Sequence, residues 1–126
     1  MERVLTILSG LALACALPAA ALAHGTTKPQ HGGVVQMNGE TLFELVRAPA
    51  GVTLYVIDED EPVEASSMTA RLSVAVGGQR RDIAMVPGKG NQFFAKGLSL
   101  PKGASVGVLV INRASQARYG TTFTIK

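Results

Sequence analysis

The chain has 126 residues, 47% of them hydrophobic, with a formal net charge of +3. Its basic residues are scattered, Arg80-Arg81 being the only adjacent pair, and it has no Trp, four Phe and two Tyr. Nucleic-acid binding normally needs a clustered basic face with stacking aromatics, so that class is set aside.

Residues 1–23 read as a signal peptide. A short charged start, Glu2-Arg3, leads into an apolar run from Val4, and the run closes on the small-x-small ending Ala21-Leu22-Ala23. Cleavage after Ala23 makes His24 the new N-terminus, exports the chain to the periplasm and leaves no membrane segment. Lipoprotein processing at Cys15, in "LALAC", is the minority alternative, because Ala12 stands where a lipobox wants leucine. Removal of residues 1–23 leaves 103 residues and takes the single cysteine with it. The mature chain is then one modest domain without a disulfide or a thiol ligand.

Residues 24–33, "HGTTKPQHGG", hold three glycines, a proline and no apolar period, and read as a flexible leader. From residue 34 to 126 the pattern changes to short apolar runs separated by turn residues. "VVQM-NG-ETLFELV" predicts a hairpin turning at Asn38-Gly39. "GVTLYVI" places Val52, Leu54 and Val56 on one face and Thr53 and Tyr55 on the other. The acidic run Asp58–Glu61 reads as a turn and "PVEASSM" as a weak edge segment. "RLSVAV-GG-QRRDIAMV" repeats the hairpin pattern, with Leu72, Val74 and Val76 alternating. "FFAKGLSL" reads as a strand or bend, and "SVGVLVI" as a strand buried on both faces. In "RYGTTFTIK", Phe123 and Ile125 alternate with threonines. No segment has a helical period. The expected fold is all-β: a two-sheet antiparallel sandwich of immunoglobulin-like type with seven to eight strands, an open barrel being the second choice.

Two residues carry the metal expectation. At a new N-terminus, His24 offers an α-amine and an imidazole that close a chelate ring on one ion, and His31 can fold back as a third nitrogen. Such nitrogen donors suit copper, as Cu(II), best, with nickel and zinc behind. The plain alternative is a pair of solvated histidines on a tether. A closed structural zinc site needs four Cys or His ligands, which this chain lacks. Asp58–Glu61 with Glu64 lacks calcium-loop spacing and reads as a solvated turn. Met37 and Met85 read as core fillers, and Met68 as the most exposed methionine and the best soft-ligand candidate of the three. No nucleophile pairs with a histidine, so the chain reads as a non-enzyme.

"KPQHGGVV", followed by a hairpin carrying Phe43-Glu44-Leu45-Val46, then "GVTLYVIDEDEPV", "ARLSVAVGG" and "NQFFAKG", resembles small exported bacterial proteins of heavy-metal efflux and copper-resistance systems. A similar opening occurs in domains attached to the membrane-fusion subunits of metal-exporting pumps. The resemblance runs from Lys28 to about Gly97, and it implies a periplasmic β-sandwich with a link to metal homeostasis. A metal-efflux membrane-fusion subunit is the candidate partner. Of the family's residues only His31, Gly32 and Gly33 carry over. A docking module with no metal role of its own remains the other reading.

Overall fold

The computed structural model describes residues 27–126, so the expected signal peptide, Cys15 and His24 lie outside the described residues. The described chain is built of antiparallel strands: β1 Val34–Asn38, β2 Thr41–Ala48, β3 Gly51–Asp58, β4 Glu61–Pro62, β5 Met68–Val76, β6 Gln79–Pro87, β7 Gln92–Lys96, β8 Ser105–Asn112 and β9 Arg118–Thr124. A single 3-10 turn, Ala65–Ser67, precedes β5. Among the described residues no helix is long and apolar enough to cross a membrane.

Strands follow one another in space as β1-β2-β3-β7-β6-β5-β8-β9, with the two-residue β4 beside β3. This is the expected two-layer antiparallel architecture, and β6 joins the layers. Its residues Gln79–Met85 pair with β5, while Val86 and Pro87 pair with Phe94 and Phe93 of β7. At the opposite seam β1 and β9 share no strand ladder, but the Asn38 Nδ2 donates to the Gly120 carbonyl at 2.6 Å. The sandwich is therefore nearly closed, like a barrel.

The period-2 pattern decides what the layers bury. Phe43 and Leu45 of β2, Val52, Leu54 and Val56 of β3, Leu72 and Val74 of β5, and Val106, Val108 and Val110 of β8 meet in one core, with Phe93 and Phe123. Burying each such side chain contributes roughly 1.5–3 kcal/mol, the main term holding a domain with no disulfide together.

Local details differ from expectation. The first hairpin turns at Gly39-Glu40, because Asn38 pairs with Thr41 as the last ladder residue, and Gly39 alone takes a positive φ of 62°. Met37 is 40% exposed because its register, opposite Leu42, puts it on the outer face of the first sheet with Glu44, whereas Met68 is 6% exposed because it faces inward from β5. Val76, at the end of β5, is exposed as well. The β8 strand buries one face only; Gly107, Leu109 and Ile111 on the other are half-buried.

Candidate functional site

Strand β2 lies between β1 and β3, and its register sets Glu44 opposite Val35 on one side and Tyr55 on the other. Alternation sends Phe43 and Leu45 into the core and turns Glu44 to the outer face of the first sheet. Nevertheless Glu44 is only 1% exposed. The segment entering β1 folds over it. The Gln30 amide donates to Oε1 at 2.9 Å, and the His31 and Gly33 amides donate to Oε2 at 2.8 and 2.9 Å. The His31 Nδ1 is 3.0 Å from Oε1. A buried carboxylate without partners is costly, and here both oxygens are satisfied twice.

Burial by itself raises the Glu44 pKa, but the backbone hydrogen bonds from Gln30 and Gly33, the His31 ring and the His31 amide together outweigh it, and the carboxyl is held below its ordinary range. It is an ionised acceptor at neutral pH. An ionised carboxylate only accepts, so the hydrogen between it and the ring belongs to Nδ1. In the neutral imidazole the lone pair then sits on Nε2. The ring also stacks flat on Tyr55, with centroids 3.6 Å apart and an interplanar angle of 0°. Its side chain remains 43% exposed.

Two glycines make the wrap possible for different reasons. Gly32 has φ +77°, a left-handed conformation in open space. Gly33 is needed for room, since a Cβ there would lie 2.4 Å from the Leu45 carbonyl oxygen and 2.8 Å from the Val46 Cγ2. The His31-Gly32-Gly33 sequence is thus a clasp around Glu44, and the last residues of the expected 24–33 leader are held against the sheet by it.

The other candidates do not join this site. Glu59 and Asp60 form the two-residue turn between β3 and β4 at φ 51° and 66°, and both are exposed. Asp58 accepts from the Thr41 hydroxyl at 2.8 Å. Met68 and Met85 are buried in the core. Among the described residues no three His, Cys, Asp or Glu side chains are grouped closely enough to hold a metal ion. Sequence reading missed Glu44 and Tyr55 as partners of His31. One signal was there: a carboxylate in the centre of the apolar run "TLFELV", flanked on both sides by core residues.

No family model and no curated protein matches the chain. One solved structure, described as "Crystal structure of Br derivative BhCBM56", is similar at 14% identity with a TM-score of 0.45, covering 74% of this chain and 99% of that one.

Proposed function

We propose that the protein is a periplasmic metal-binding accessory protein of a heavy-metal resistance or efflux system, which captures Cu(II) through His31 and, after signal removal, through the amine and imidazole of His24. The observation that supports this reading is the pairing of His31 Nδ1 with the buried Glu44 at 3.0 Å. Metal-ligating histidines commonly donate their second nitrogen to a carboxylate, which fixes tautomer and ring orientation and raises the basicity of the ligating nitrogen. Glu44 and Tyr55 do that for His31 before any metal arrives, and Nε2 has no partner among the described residues. Neutral imidazole nitrogen ranks Cu(II) above Ni(II) and Zn(II). His24 lies outside the described residues and enters only through the cleavage site expected from the sequence.

The test is electron paramagnetic resonance and calorimetry on exported protein of mass-confirmed N-terminus, with one equivalent of Cu(II). The expected outcome is a single species with two or three equatorial nitrogens, lost on His31→Ala or on blocking the amine. Copper affinity equal to wild type in both variants refutes the reading.

A second reading is favoured by the seam between β1 and β9. There, among the described residues, β1 has no strand ladder on its outer edge, where Asn38 bonds the Gly120 carbonyl, and Val34 is exposed. An edge of this kind accepts an added strand from a partner such as a metal-efflux membrane-fusion subunit. Proline substitution at Met37, whose N–H points away from β2, abolishes capture of that subunit under this reading while leaving copper binding unchanged; undiminished capture refutes it.

A further inference from the structure

We infer that the outer face of the second sheet carries a separate site, a trough that takes a small molecule bearing two oxyanionic groups. A groove of about 330 Å³ lies on this face, and Arg71, Arg80, Ser73, Asp82, Gly107 and Thr122 are among its lining residues. The registers put Asp82, Ser73, Gly107 and Thr122 side by side across β6, β5, β8 and β9. All four are short, so the row is a floor running across the strands. Arg71 stands on one side of it, two residues along β5 from Ser73. Arg80 stands on the other, opposite Ala75. Their backbones are thus four residues apart along the strand direction, about 13 Å. Both arginines line the groove, and a planar guanidinium can present a fork of donors to a carboxylate or phosphate.

Gly107 is the observation that separates this trough from an ordinary charged surface. Glycine weakens a strand interior, and it usually marks a bulge or the close approach of another backbone or a ligand. Three glycines lie inside the described strands. Gly51 has a positive φ and its Cβ would meet the Ala95 carbonyl at 2.3 Å; at Gly120 a Cβ would meet the Val108 carbonyl at 2.8 Å. Gly107 has neither reason. Its Cβ would make ordinary contact with the Ser73 Cβ at 3.7 Å, and its φ is outside the left-handed range. The fold leaves room for a side chain at the middle of β8, and the sequence leaves that room empty between two arginines.

Asp82 limits the charge of the trough at its β6 end. Its Oδ1 is 3.8 Å from the Arg80 Nε, beyond hydrogen-bond range, with both side chains well exposed. Such a pair is weak. It is too weak to hold Arg80 away from a ligand lying over Ser73 and Gly107.

The experiment is calorimetry with amide chemical-shift mapping on the metal-free protein at constant ionic strength, using citrate and pyrophosphate against acetate and inorganic phosphate. Saturable binding of citrate or pyrophosphate is expected, with shifts at residues 71–73, 80–82, 107 and 121–122 and at least tenfold tighter than acetate or phosphate. Which of the two binds tighter distinguishes carboxylate from phosphate ligands. Arg71→Ala and Gly107→Val each weaken binding at least tenfold, the Tm of Gly107→Val is unchanged or raised, and His31→Ala binds like wild type. Three results would overturn the proposal: responses that track ionic strength alike for all four anions, wild-type binding by Gly107→Val, or a lowered Tm for that variant, which would make the glycine a packing requirement.

Discussion

Replacing Glu44 by glutamine tests the clasp one hydrogen bond at a time. In the wild type, Oε1 faces two donors, the Gln30 amide and the His31 Nδ1, and Oε2 faces the amides of His31 and Gly33. A glutamine has one oxygen and one NH2, so whichever way it turns, an NH2 meets two N–H groups. The cheaper orientation puts the NH2 on the His31 ring side. There Nδ1 can give up its hydrogen and accept, shifting it to Nε2, and only the Gln30 amide is left facing a donor. One orphaned buried donor costs about 1–3 kcal/mol, and the other bonds lose their charge assistance, for a total of about 3 kcal/mol. If residues 30–33 detach instead, water reaches the amide side chain, and the global loss is capped by the free energy of docking that segment. In a domain of this size, 3 kcal/mol lowers Tm by roughly 10–20 °C.

Three measurements read this out together. Urea unfolding gives the loss in stability, amide exchange at Gln30, His31 and Gly33 reports the clasp itself, and 15N shifts of the His31 ring report the tautomer. The pH dependence carries a further sign. The folded Glu44 pKa is lowered, so its stabilisation is fully present above the unfolded value of about 4.3 and is lost as pH falls through the folded one. Wild-type stability therefore declines more steeply below pH ~4.3 than that of Glu44→Gln. A variant with wild-type stability, protected amides and hydrogen still on Nδ1 would refute the account of Glu44 as the anchor.

Gly33→Ala drives a Cβ to 2.4 Å from the Leu45 carbonyl. It is expected to cost more than Gly32→Ala, whose left-handed φ in open space costs about 1–2 kcal/mol; an equal loss by urea unfolding contradicts the close-approach argument. Converting the β3–β4 turn to Glu59→Asn with Asp60→Gly relieves two non-glycine residues at φ 51° and 66° and raises stability by about 1 kcal/mol in the same assay. Phe93→Ala empties a fully buried site between the sheets and is expected to cost about 3–5 kcal/mol, a loss under 1 kcal/mol showing that the core collapses freely. His31→Ala removes the Tyr55 stack and one bond to Glu44, costing about 1–2 kcal/mol by thermal denaturation.

Strand existence, the all-β class and the inward faces of β3 and β5 were legible in the sequence because a strand's side chains alternate with period 2, whatever its partners. The Gly77-Gly78 turn was legible too, since both residues take positive φ and few others do so readily. Register was less so: the first hairpin turn lies one residue later than its Asn-Gly pair indicates, because ladder pairing at Asn38 and Thr41 decides where the loop starts. The methionines show the same limit. Alternation placed Met37 with Val35 but did not say that their shared face would be the outer one, nor that Met68 would turn inward from a weak-looking segment. His31 marked its own importance by being one of only two histidines, yet its partners lie 13 and 24 positions away, on β2 and β3. Only strand pairing brings Glu44 and Tyr55 side by side, and only the fold of the 30–33 segment over them turns an isolated carboxylate and an isolated imidazole into one hydrogen-bonded unit. Local chemistry is written along the chain, whereas the meeting of distant groups is written in sheet register, which depends on every strand at once.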